Sequence, residues 1–498
     1  MSKYKLFKNK WLYGVLAIIL AFCCYYFVPA DKHPQAPIMA AIVVLMAVFW
    51  IFEVVPIAIT SLFPIFLFPI FEILDTKTTA LFYGKEIIFL FLGGFMLAQG
   101  IQHSNLHKRI ALNIVNVIGS KPANLVLGFM VATAGLSMWI SNTASVMVMM
   151  PIGLSIIEEI KEVKDSKKFL QKFAVALMLG IAYSADIGGM ATLIGTPPNL
   201  VFMELYHELF PDMPKIGFSQ WMMMGLPISI IFLFTGWLLM TKVIFRMPET
   251  DVFKNHNVIK GLLDQLGDLT RDELIAGLIF FIAAILWITG SDITLSESFT
   301  LNGWRSSFGL EMVSDASIAV VTSLFLFMIP SKDRPKEMLL TWSKARELPW
   351  GILLLFGGGF AIAGGFNSSG LSTIIGNIIA NIGIESPILI VIIVCVVLTF
   401  LTEITSNTAT TNLILPILAK ASAVLGLDPR ILMIPATLSA SCAFMMPIAS
   451  PTQAIIFGSG HVKIKQMIKA GILFNLLGII VVTGVFYLLA KFAFGIEI

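Results

Sequence analysis

The stretches "WISNTAS" at residues 139–145 and "ITSNTAT" at 404–410 each place a run of hydrogen-bonding side chains in the middle of apolar sequence. Serine, asparagine and threonine compete with the backbone for its own hydrogen bonds, and in lipid they cost stability unless the fold gives them partners. The apolar stretches 123–158 and 386–425 are both interrupted at their centres in this way. If each enters and leaves on one side as a helical hairpin, its irregular tip is tolerated only where it lines protein or a water-filled cavity. How these two triplets are read therefore decides the topology.

The surroundings are those of a membrane. Of 498 residues, 57% are hydrophobic and 13% charged, with a mean hydropathy of +0.90, against roughly 45–50% apolar and about 25% charged in soluble domains. The unbroken apolar runs predict an all-α integral membrane protein, since outer-membrane strands alternate in segments of about ten residues. Trp11 to Val28 follows Lys3, Lys5, Lys8 and Lys10 with no small-residue cleavage site, so it reads as a retained first span. Cys23, Cys24, Cys395 and Cys442 lie in apolar stretches without metal spacing. No nucleic-acid partner is expected.

Further spans are expected near 38–54, 56–73, 86–102, 174–205, 218–245, 272–290, 315–330, 350–366, 431–458 and 467–494, making about eleven with the two hairpins kept re-entrant. With the N-terminus inside, 25 of the 33 lysines and arginines fall in inside segments, a strong positive-inside pattern. Making either hairpin cross would invert every later loop. A multi-pass protein of the plasma or inner cell membrane, with its N-terminus cytoplasmic, follows.

A shift of 265 residues lays "FLGGFMLAQGIQHSNL" (91–106) on "FGGGFAIAGGFNSSGL" (356–371), Ser141-Asn142-Thr143 on Ser406-Asn407-Thr408, and Pro151 on Pro416. One offset held this long argues for duplication. An odd number of expected crossings between the unit starts gives the units opposite orientation, so that discontinuous helices of both halves meet near the midplane. A second pair of breaks, "GTPPN" at 195–199 and "ASPTQ" at 449–453, completes each unit at a slightly shorter offset.

At such breaks, helix N-termini offer unpaired N–H groups and unwound carbonyls offer partial negative charge. The first suits an anion and the second Na⁺; hydroxyl and amide side chains serve either. No lysine or arginine lies in the four stretches. A bound anion would need its charge balanced otherwise, and bound cations are the plainest means.

These paired "SNT" triplets with proline-rich breaks resemble the divalent anion/sodium symporters, over nearly the whole chain. The resemblance implies an elevator-type transporter working as a homodimer in the bilayer, with one hairpin opening inward and the other outward. Its domains would be an N-terminal scaffold (1–85), a first inverted repeat unit (86–205), scaffold helices with a cytoplasmic arm at 247–271 (206–349), a second unit (350–460) and a C-terminal span (461–498). By position, one Na⁺ would use Ser137, Ser141, Asn142 and the backbone at Gly195. A second would use Thr402, Thr405, Asn407 and the backbone at Ala449 and Pro451. Substrate oxygens would meet Asn142, Thr143, Thr196, Asn407, Thr408 and Ser450. The second break departs from the "ATPPN" common in the family: Ser450, Thr452 and Gln453 stand in it.

Plainer readings were weighed. A single polar triplet is more often a helix-packing device; repetition in step with proline breaks reverses those odds. The glycine clusters at 93–94 and 357–359 lack the lysine and strand of a phosphate loop and fit close helix packing better. His103 and His107 share a helical face without an acidic partner, as expected of a solvated interfacial helix. Asp186 reads as capping a bend. Glu403 would either tune cation affinity or bond backbone N–H groups, and neither acid is taken as a ligand. An intramembrane serine hydrolase using His461 lacks a buried base, and a channel fits the two opposed hairpins less well than alternating access. The expectation is a secondary active transporter, not an enzyme: Na⁺-coupled symport of a C4 dicarboxylate such as succinate, malate or fumarate. Sulfate or citrate as substrate, and sodium-independent exchange, are its rivals.

Overall fold

The computed structural model describes residues 2–30, 33–119, 121–163, 167–248, 257–296, 299–380 and 386–496. The chain opens with α1 (Ser2–Phe27), α2 (Ala36–Ile51), α3 (Ile57–Thr60), α4 (Phe63–Ile70) and α5 (Thr76–Leu81). A single span was expected over 56–73. Pro56 and Pro64 at helix starts divide it into α3 and α4 instead, because proline supplies no N–H to continue the ladder.

The first unit runs α6 (Glu86–His103), α7 (Leu106–Ile118), α8 (Pro122–Ser137), α9 (Asn142–Val163), α10 (Lys167–Gly189), α11 (Pro197–Leu209) and α12 (Phe218–Leu238). Between the units lie α13 (Asn257–Leu266), α14 (Arg271–Ile288), a small antiparallel pair β1 (Ile293–Ser296) and β2 (Phe299–Leu301), α15 (Trp304–Phe308), α16 (Asp315–Met328) and α17 (Trp342–Ala345). Then the pattern of the first unit returns: α18 (Trp350–Ser369), α19 (Leu371–Ala380), α20 (Pro387–Leu401), α21 (Asn407–Val424), α22 (Pro429–Ser439), α23 (Pro451–Gly458) and α24 (Ile464–Phe494).

The duplication is visible in backbone detail. Asn105 and Gly370, 265 residues apart, turn the chain from α6 into α7 and from α18 into α19 with φ of 66° and 74°. That left-handed region is open to glycine and tolerated by asparagine. The glycine clusters are close-approach points, as expected. A Cβ on Gly93 would run into the backbone of Ala319 on α16, and one on Gly358 into Ser61 beside α3.

Among the described residues six helices are long and apolar enough to cross a membrane, namely Lys10–Phe27, Thr76–His103, Phe169–Gly189, Phe218–Ile244, Trp350–Ser369 and Ile464–Phe494. Their burial differs widely. α1 shows most of its apolar side chains to the outside, whereas every residue from Phe173 to Thr196, and from Pro429 to Phe444, is buried. These two segments, with the breaks that follow them, form the axis around which the hairpins pack.

α7 departs from expectation. His107 is buried, with Nδ1 3.2 Å from the Ile101 carbonyl; burial pushes its imidazole down to about 4. Arg109 beside it makes a bidentate pair with Glu273 and donates to the carbonyls of Leu266, Gly267 and Asp268. The helix is thus fastened to the arm (α13) and to the start of α14 rather than solvated. Residues 249–256 of the expected arm lie outside the described residues.

Candidate functional site

Each hairpin folds back at its triplet, and the asparagine of the triplet starts the returning helix. α8 ends at Ser137 and α9 begins at Asn142; α20 ends at Leu401 and α21 begins at Asn407. Across the first tip the Ser137 hydroxyl donates to Asn142 Oδ1 at 2.6 Å, and across the second Thr402 Oγ1 donates to Asn407 Oδ1, also at 2.6 Å. The same bond at the same spacing, 265 residues apart, directs an amide oxygen and a hydroxyl oxygen together at both tips.

The breaks after α10 and α22 share one geometry as well. Thr196 has φ −145° and ψ 143°, and Ser450 has φ −147° and ψ 156°. Each precedes a proline, so the chain arrives extended and turns at once into α11 or α23. The orphaned backbone groups are met differently. In the first break Asn199 Nδ2 donates to the carbonyls of Gly189 (3.1 Å) and Thr192 (2.7 Å), while Trp221 on α12 donates to Met190 O. In the second, Glu403 accepts from the N–H groups of Phe444, Met445 and Met446 at 2.7–3.0 Å and from Asn475 Nδ2 at 2.8 Å. Of the two readings of Glu403, the bond to backbone N–H groups is the one present.

The tips adjoin the breaks. Thr192 Oγ1 donates to Met138 O at 2.5 Å, and Thr402 Oγ1 donates to Ala440 O at 2.9 Å. A Cβ built on Gly189 would lie 2.7 Å from Asn142 Oδ1, 3.1 Å from the Gly195 carbonyl oxygen and 3.2 Å from Thr196 Cβ. Two oxygens, from tip and break, thus flank one spot that only a glycine leaves open.

Asp186 links the halves. It was expected to cap a bend, but its carboxylate accepts from Asn142 Nδ2 at 3.0 Å on one side and from Thr452 Oγ1 (2.9 Å) and Ser450 Oγ (3.4 Å) of the second break on the other. The first tip therefore reaches the second break through Asp186, and the second tip reaches the same break through Thr402. α23 packs on α9 and α10, and α11 packs on α21 and α22, so each post-break helix rests on the other unit's hairpin arm.

Of the residues singled out in the sequence, Ser137, Asn142, Gly195 and Thr196 come together around Gly189, and Ser450 joins them through Asp186. Thr402 and Asn407 pair at the second tip, where Thr405 Oγ1 lies 2.5 Å from Thr410 Oγ1. The Ser141 hydroxyl turns to the helix end, accepting from Ala144 N at 3.3 Å. Thr143 is half-buried and Thr408 buried on the first turns of α9 and α21; Ala449 is buried and Pro451 exposed. Asp186, Gly189 and Thr452 were missed. Asp186 alone carried a signal, an acid at membrane depth.

A family model described as "Sodium:sulfate symporter transmembrane region" matches residues 8–492. The sodium-dependent dicarboxylate transporter SdcS of Staphylococcus aureus strain MRSA252 is 42% identical over 503 residues, covering 100% of this chain and 94% of that protein; its counterpart from strain N315 gives the same figures. The crystal structure of the Alcanivorax borkumensis YdaH transporter is similar in fold, with a TM-score of 0.54 at 11% identity, covering 98% of this chain and 99% of the other. Together with the paired tips and breaks, these findings make the chain a membrane transporter and place it in the divalent anion/sodium symporter family.

Proposed function

We propose that the protein is a Na⁺-coupled symporter of dicarboxylates, with a C4 diacid such as succinate, malate or fumarate as substrate. The observation that carries this reading is the pair of tips, Ser137–Asn142 and Thr402–Asn407, which present matched oxygens with no basic side chain in either stretch. The names of the 42% identical relatives support it.

In this reading one Na⁺ sits among Ser137, Ser141, Asn142 and the Gly195 carbonyl, beside Gly189. A second sits among Thr402, Thr405, Asn407 and the backbone at Ala449 and Pro451. The cations order both tips first. The dianion then binds Asn142, Thr143 and Thr196 from one unit and Asn407, Thr408 and Ser450 from the other. Because Ser137 and Thr402 hold the asparagine side chains by their oxygens, a cation at that oxygen fixes the amide N–H groups where they can donate to a carboxylate.

The energetics favour cation coupling. Moving one charge across 100 mV costs about 2.3 kcal/mol, so a dianion entering an inside-negative cell costs roughly 4.6 kcal/mol. Two Na⁺ cancel that term. The two units lie inverted in the membrane and move as the mobile part of an elevator against α1–α5 and α13–α17, in a homodimer with cytoplasmic N-termini. Labelled succinate uptake into proteoliposomes with and without an inward Na⁺ gradient tests the reading, with uptake expected only with the gradient. Competition by unlabelled citrate or sulfate separates the rival substrates, and counterflow in sodium-free vesicles would expose an exchanger.

A further inference from the structure

The two units differ from each other most pointedly around one carboxylate. "SAD" at 184–186 corresponds to "SAS" at 439–441, so Asp186 stands where the second unit has Ser441. Thr452 stands where the first unit has Pro198, and Gln453 where it has Asn199. All three departures meet in space. Asp186, 1% exposed, accepts from Thr452, Ser450 and Asn142, and no lysine or arginine among the described residues bonds to it. Gln453 is fully buried and its amide faces Asp186. Yet neither Oε1 nor Nε2 makes a hydrogen bond of regular geometry. Asn199, its counterpart, spends its amide closing the first break.

Glu403 shows what a purely structural buried carboxylate looks like here. Its partners are backbone N–H groups and one amide N–H, which can only donate. Those around Asp186 are hydroxyls and side-chain amides, whose oxygens can turn toward a hard cation. A buried charge with no cationic partner is costly, and an orphaned buried amide adds to that cost. A bound cation relieves both.

Resting on the symport reading above, we infer that Asp186, with Ser450, Thr452 and Gln453, forms a third Na⁺ position at the junction of the first tip and the second break. The consequence is electrical. With three Na⁺ and a dianion aboard, the Asp186 charge is balanced and the loaded step moves no charge from this site. The empty return carries the Asp186 negative charge, so each cycle brings in one net positive charge.

The test uses the full chain in proteoliposomes, with succinate uptake measured against Na⁺ concentration at zero potential and at an inside-negative potential set by K⁺ and valinomycin. The wild type is expected to show Na⁺ cooperativity near three and faster uptake at the negative potential. Asp186→Asn is expected to keep Na⁺-dependent uptake with cooperativity near two and no response to potential. Gln453→Leu should raise half-saturating Na⁺ several-fold while keeping the response to potential. Wild-type cooperativity and voltage response retained in Asp186→Asn would overturn the inference. Should that variant not fold, an unchanged Na⁺ requirement in Gln453→Leu would do the same. Absence of Na⁺-dependent uptake by the wild type would bring down the symport reading itself, and this position with it.

Discussion

At Gly189 the site can be probed with one methyl group. A Cβ there would sit 2.7 Å from Asn142 Oδ1 and 3.1 Å from Gly195 O, inside the spot assigned to a cation. Gly189→Ala is expected to raise the Na⁺ concentration for half-maximal uptake at least tenfold. Gly135→Ala, whose Cβ would meet nothing within 4 Å, should leave it unchanged and add up to about 1 kcal/mol of helix stability. Asn142→Ala and Asn407→Ala should each abolish Na⁺-dependent uptake while the purified protein keeps its elution volume and helical circular dichroism. The sequence made the asparagines and their hydroxyl partners legible because the repeat marked them twice. Asp186 was not legible as a link, because its partners Asn142 and Thr452 lie 44 and 266 residues away and nothing local names them.

Among elements, the hairpins and breaks could be read from prolines and polar triplets, which interrupt a helix by removing donors or competing for them. What satisfies the interrupted backbone could not be read. Asn199 does it in one unit and Glu403 in the other, and either choice is decided by packing. α7 makes the same point, for its polar sequence suggests solvation while the fold buries His107 and Arg109. With the His107 imidazole pushed down to about 4, the unfolded chain takes up a proton between pH 6.5 and 4 that the folded chain refuses. The stability this group gives is whole above pH 6.5 and is lost as pH falls, by about 3 kcal/mol on reaching pH 4. Melting temperature followed from pH 7 to pH 4 should fall more steeply in the wild type than in His107→Gln. Arg109→Ala strands Glu273, which is 2% exposed, and should destabilise the fold by about 3–5 kcal/mol, read as a lowered melting temperature with the Na⁺ requirement of uptake unchanged.

Over the whole molecule, duplication explains why so much was visible in advance: a constant offset carries the tips, the left-handed turns at Asn105 and Gly370, and the interior prolines Pro151 and Pro416 together. The mutual packing of α11 and α23 on opposite hairpin arms was beyond sequence reading, since it depends on how two units fold into one another. That packing draws both tips to the second break and makes a shared site. Neutralisation of a bound diacid by metal ions rather than by basic side chains is the claim on which the rest stands. Equilibrium binding of labelled succinate to the purified protein, at saturating Na⁺ and with Na⁺ replaced by choline, tests it most directly. Binding that appears only with Na⁺ is the expected result; succinate bound equally well in choline would contradict it.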